Sequence, residues 1–364
     1  MLAVGALFTG LVAACAGCSG TESAPPECHP GRSTLSSLDA GTGQVAWRAS
    51  LSQTSELPPQ VEDGVVVISA PCGAAVLDLA DGKVRYDAAT TGELVGVDDD
   101  VLFTVVRPTG DPATVVGTDL RTGRPVSGLS SNLPFWDAVV ADGTLVTLFG
   151  DELRGDGGGE GGTAWQLQVP AYRQPRLVLG GHLVLVVAAD GSTFAVDPAD
   201  GALRWRTVPP VAATSYGMRV TGDGATVLTA ATTGDERQRS FVYATDAWTG
   251  RLAWTRSALG VLGVDRHLTV LRTAPGIVAV DTTTGDLRWR RPAPGLDADA
   301  VLAPAARGAG VLVALSPEGV TAVDARTGTV RWRLGVERVH QELALAPDGR
   351  LLLLDSDVVP HLGA

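Results

Sequence analysis

Five histidines, four cysteines and scattered acidic groups are the residues of this chain whose types could do chemistry. Metal binding would need ligands at short, fixed spacing. His29, His182, His267, His340 and His361 show none, and His182 and His267 stand where a turn enters an apolar strand. Asp98-Asp99-Asp100 offers carboxylates, but no Asp-x-Asp-x-Asp-Gly loop follows, so a solvated turn is expected rather than a calcium site. Gly155 to Gly162, with Asp156 and Glu160, lacks the Lys-Ser/Thr of a phosphate loop and is read as an outer turn. Arg48, Arg206, Arg290 and Arg333 each follow a Trp. They offer a basic rim to an acidic partner, or charges that keep an outer strand from pairing. Trp136 and Trp248 lie outside the repeat described below and are interface candidates if exposed, or packing residues of atypical blades. No acid, base or metal set converges, so no catalytic, cofactor-binding or metal residue is assigned.

The elements that carry these residues are set by a repeat. Its clearest copy runs from Ala279 and Asp281 through Thr284-Gly285 to Trp289. Strand, tight turn and strand fit it: Asp281 accepts backbone N–H bonds within the turn, Gly285 takes a positive φ, and Trp289 is a flat apolar anchor. Copies start at Asp39, Asp78, Asp119, Asp197, Asp246, Asp281 and Asp324, with a decayed copy in which Gly157 replaces the Asp. Trp47, Trp165, Trp205, Trp254, Trp289 and Trp332 hold the aromatic position, and Gly43, Gly201, Gly250, Gly285 and Gly328 the turn. Tyr86 and Ser127 replace the Trp in two copies. The spacing of 35 to 49 residues, with two further apolar runs before each hairpin, predicts four-stranded blades. Residues 33 to 51 supply only two strands and 342 to 355 the other two. Their union predicts an all-β, eight-bladed β-propeller over 33–360, with the ring closed by strands from both termini.

Composition limits the function. Of 28 basic residues only Lys83 is a lysine, and the net charge is −12. That balance excludes nucleic acid, which needs a basic face, and a purely electrostatic grip on anionic lipid. Residues 1–14 read as a lipoprotein-type signal peptide and 15–32 as a polar tether. Val12-Ala13-Ala14-Cys15 resembles a bacterial lipobox, which makes Cys15 the acylated residue, with Cys18 the weaker choice; a plain signal peptide or uncleaved anchor is the alternative. Cys28 and Cys72 remain, an even pair in an oxidising compartment and close enough in the expected blades to form a disulfide.

The pattern Ala-x-Asp-x-x-Thr-Gly-x-x-x-Trp, best in Ala279 to Trp289 and Ala322 to Trp332, resembles the pyrroloquinoline-quinone-like propeller repeat. The resemblance covers nearly the whole chain from residue 33 and implies that each Trp docks on the turn of a neighbouring blade. The family holds quinone-dependent alcohol dehydrogenases and non-enzymatic scaffolds such as the lipoprotein of the outer-membrane β-barrel assembly machinery. Those dehydrogenases carry a disulfide between adjacent cysteines over the quinone and a calcium near a catalytic Asp. This chain has no adjacent cysteines and no Cys-x-x-Cys-His. The expectation is a non-catalytic, lipid-anchored extracytoplasmic scaffold with a protein partner in the cell envelope and no cofactor. The alternatives are a secreted form, and a quinone- or ligand-binding enzyme or sensor that uses the central channel.

Overall fold

The computed structural model describes residues 32–356 except 53–58, 63, 71–72, 89–91, 99, 108–111, 158–162, 171–174, 189, 211–214, 222–223, 234–238, 275, 293–299, 304–309, 317–318, 336–339 and 347. Cys15, Cys18, Cys28 and Cys72, with the expected leader, tether and disulfide, lie outside the described residues.

The fold is all-β, eight four-stranded antiparallel sheets of an eight-bladed β-propeller. In chain order, blades one to seven span 60–88, 92–130, 135–168, 176–207, 215–257, 260–291 and 300–334. Blade eight joins the two ends of the described chain, in the order Val45–Leu51, Ser33–Asp39, Arg350–Ser356, His340–Leu345. Ser33 to Asp39 pair in unbroken register with Ser356 to Arg350, so the end strands gain a full ladder instead of an open edge. Among the described residues no helix is long and apolar enough to cross a membrane.

The chain divides into two compact units. One is 95–293, which holds blades three to six and nearly all of blade two; the described residues on either side of it, with blades seven, eight and one, form the other. The strand pattern explains why blades cannot stand alone. Second strands are apolar on both faces: Thr144–Phe149 and Leu183–Val187 are buried at every position. Fourth strands such as Thr163–Gln168 and Val330–Leu334 alternate between exposed and half-buried. In the larger unit the second and third strands pack blade on blade. Leu148 and Leu153 of blade three meet Val184 and Phe194 of blade four, and Leu228 and Val242 of blade five meet Leu271 and Val280 of blade six. In the smaller unit blade eight packs on both its neighbours, through Leu351 and Val313 on one side and Leu352 and Ile68 on the other.

Candidate functional site

The chemistry-bearing residues sit in the hairpin between the third and fourth strands, and the first task of the motif Asp is to build its own turn. Asp281 Oδ1 accepts the backbone N–H of Thr283 at 3.0 Å and of Thr284 at 2.9 Å, and Gly285 N–H donates to the Asp281 carbonyl at 2.8 Å. The Thr hydroxyl joins the same oxygen, at 2.8 Å for Thr42 on Asp39 and 2.8 Å for Thr249 on Asp246. This is why Thr precedes Gly in the motif. Oδ2 is then free for a cation seven residues on. Arg288 reaches Asp281 at 2.6 Å, Arg204 reaches Asp197 at 2.6 Å, Arg85 reaches Asp78 at 2.8 Å, and Arg331 pairs with Asp324.

A bulge makes that pair possible. Ala279 faces Trp289 and Val280 faces Leu287, so Arg288 is the extra residue of the fourth strand. The same shift recurs at Arg85, Arg204 and Arg331. A bulge re-aims one side chain off the alternation, here back over the turn. Sequence reasoning passed over these arginines. The signal was an Arg directly before the aromatic in four copies, always seven after the Asp.

The electrostatics follow. The Arg guanidinium first, and the turn N–H groups second, hold the carboxyls of Asp78, Asp197 and Asp281 below their usual range. In Asp119 the Thr122 N–H and hydroxyl do so without an Arg hydrogen bond. For Asp324 burial is the largest single influence and pushes upward, but Arg331 and Thr327 together outweigh it. Acids so committed hold turns rather than reacting groups.

The aromatic position couples blades. Trp254 Nε1 donates to the carbonyl of Thr282 at 2.7 Å, Trp205 to Ala247 at 2.8 Å and Trp165 to Pro198 at 2.6 Å. Trp47 and Trp332 do the same to Leu79 and Ala40, both at 3.0 Å. The acceptor is always the residue after the next blade's motif Asp. The indole lies over the turn glycine: a Cβ on Gly285, at φ +74°, would fall 2.7 Å from the Trp254 ring. Gly at this position therefore answers both to the left-handed backbone and to the ring above it.

One expectation is corrected in part. Gly155 and Asp156 belong to the strand Glu152–Gly157, not to an outer turn, while 158–162 lie outside the described residues. Gly155 is opposite Trp165, and a Cβ there would come within 2.1 Å of the indole. Asp156 occupies the position that is Val196, Val280 and Val323 in other blades. It pairs across the sheet with Leu145, on the face turned to blade two, where Ser127 stands in place of a Trp. Burial pushes the Asp156 carboxyl up, with Thr163 and Arg154 opposing, and its Oδ2 is buried without a hydrogen-bond partner.

Among the other candidates, Trp136 packs in the cluster between blades three and four. Trp248 is 52% exposed. It sits two residues after Asp246 in the turn of blade five, where other copies have Gly41, Ala80, Ala199 or Thr283, and its N–H bonds to Asp246 Oδ1 at 3.1 Å. The His182 ring, in a turn of blade four, lies 5.8 Å from the Trp248 ring, and its Nδ1 is 3.1 Å from Asp142 Oδ2 in a turn of blade three. Asp142, at φ 46°, and Gly143, at φ 75°, together form a tight hairpin turn. Turns of three successive blades thus bring Asp142, His182 and Trp248 together on one exposed face. His267 stays in a surface turn, its N–H on Asp265. Among the described residues no three His, Cys, Asp or Glu side chains are grouped to hold a metal ion.

The family model for outer membrane protein assembly factor BamB matches residues 31–220, 156–260 and 238–361. The chain belongs to the BamB family. That membership agrees with the resemblance its repeat carries. Among solved structures, BamB from Moraxella catarrhalis superposes with a TM-score of 0.55 at 17% identity, over 83% of this chain and 96% of that one. The computationally designed Ika8 protein gives a TM-score of 0.59 at 14% identity, over 82% and 95%. At such identities both show the fold alone. No curated protein matches the chain. The hairpins of this chain carry their motif Asp and Trp side chains as turn and docking groups, whereas Trp248, in the turn of one of them, points its indole to the exposed face it shares with Asp142 and His182.

Proposed function

We propose that this chain is a non-catalytic scaffold outside the cytoplasmic membrane, which binds a protein partner of the cell envelope through the turns of one propeller face. Family membership supports the reading, since the matching family is named for outer membrane protein assembly. The observation that carries it is Trp248. An indole half exposed on a turn held by Asp246 is a rigid aromatic anchor, the type of side chain that dominates protein interfaces. Loops on a stiff framework present such anchors with little ordering cost. Attachment through Cys15, with 1–14 as leader and 15–32 as tether, completes the proposal. Capture from the native envelope tests it. The wild-type chain is expected to retain a defined protein, and Trp248→Ala to lose at least about tenfold of that retention, since an aromatic hot spot is worth 2 kcal/mol or more. Equal retention by Trp248→Ala removes this face from the proposal. Saturable binding of pyrroloquinoline quinone with calcium, and dye-coupled turnover, would replace the scaffold with an enzyme.

A further inference from the structure

Blades three and four meet at their outer strands through a filled joint. Leu167, two residues after Trp165, packs there with Phe194 of blade four, which is only 4% exposed. Arg206, the residue opposite Phe194 in the sheet, lies over that ring at 4.8 Å. The same positions between blades five and six carry different side chains. Arg256, two residues after Trp254, takes the place of Leu167, and Val278 takes the place of Phe194, with Arg290 opposite it. Blades eight and seven keep this position apolar, with Ala49 and Leu334 in their clusters, whereas blades four and six carry Thr207 and Arg291 there. The result is a groove of about 690 Å³ lined by the buried Trp254 and Leu271, by Val278, and by Arg256 and the exposed Arg290.

Both cations are placed for a ligand. Arg256 Nε donates to the Gly285 carbonyl at 2.6 Å, which fixes the guanidinium and leaves both Nη atoms without partners among the described residues. Arg290 has neither a side-chain partner nor a ring beneath it among the described residues, unlike Arg206. The motif acid of the same blade, Asp281, is already taken by Arg288. A planar guanidinium without a carboxylate or ring uses little of its binding capacity.

We propose that this groove takes a segment of a partner protein that carries an aromatic side chain next to an acidic one. The ring enters over Val278 and beneath Arg290, as Phe194 lies beneath Arg206, and the carboxylate binds the free Nη atoms of Arg256. The inference rests on the scaffold reading and gives the partner its chemistry: an acidic-aromatic segment, on a chain whose overall charge of −12 makes a paired arginine groove a local exception.

The test uses N-acetyl-Phe-Asp-amide as probe on the full chain, followed by saturation transfer to its ring protons. The wild type is expected to bind it saturably. Val278→Phe copies blade four, fills the groove, and should weaken the probe about tenfold or more. Arg256→Gln, a change in the groove lining, should weaken this probe but not N-acetyl-Phe-Asn-amide, which separates a lost charge contact from misfolding. No saturable transfer in the wild type, or transfer unchanged in both variants, overturns the groove proposal. Envelope capture runs beside it. A partner kept equally by wild type and Val278→Phe leaves the scaffold standing and ends the groove's role. A partner kept by neither ends the scaffold reading itself.

Discussion

Asp78, Asp197, Asp281 and Asp324 use one carboxylate twice, Oδ1 for the turn and Oδ2 for the arginine seven residues on. Their folded-state pKa values lie below the ordinary 3.8, so their contribution to stability is full above that value. It is lost as pH falls through the lower, folded values. Thermal melts between pH 7 and 2.5 should therefore show a steady Tm down to about pH 4 and a decline below it; a Tm that holds or climbs below pH 4 would contradict the paired turns. Asp156 runs the other way. Its carboxyl is pushed up by burial, the folded state binds its proton more readily than the unfolded chain, and its charge costs stability as pH rises above 3.8. Asp156→Val restores the side chain used in three other blades. It is expected to raise Tm at pH 7 by about 1–2 °C, the shift for roughly 1 kcal/mol in a chain of this length. An unchanged or lowered Tm would show that Thr163 and Arg154 already satisfy the carboxyl.

The element that propagates the fold is the hairpin with its Trp reaching to the next turn. Trp254 is only 8% exposed and bonds Thr282 of the next blade. Trp254→Ala should cost about 3–5 kcal/mol, as buried aromatic truncations do, read as a lowered midpoint in urea. Trp254→Phe should cost clearly less, because the ring stays and only the Nε1 bond is lost. Equal losses would mean that the bond rather than the packing holds the blades. The hairpin was legible in the sequence because its turn residues, Asp, Thr and Gly, are those a tight turn demands at fixed offsets. The docking Trp followed from the family resemblance. The bulge was not legible: which strand residue is extra depends on pairing across the sheet, and Arg288 reads in sequence as an ordinary alternating residue. Gly155 misled for a related reason. A glycine run looks like a loop until the indole of Trp165 is seen lying across it.

At the scale of the molecule, eight copies of the hairpin, five of them with the same eight-residue step from Asp to Trp, gave the architecture away, and the two half-blades at 33–51 and 342–355 gave its closure. The candidate site was far less legible. Trp248 stood out only as a Trp off its expected position; that His182 and Asp142 share its face depends on turns from three blades meeting in space, 40 and 66 residues apart in sequence. A repeat reports what all blades share, whereas a binding face is made of what one blade does differently. The account's central claim is that this face holds a protein. The most direct measurement puts a photo-cross-linking amino acid at position 248 of the full chain in its own cells, with position 203, exposed on a fourth strand, as control. The account predicts one defined protein adduct at 248 and none at 203. No adduct at 248, or the same adducts at both, would contradict it.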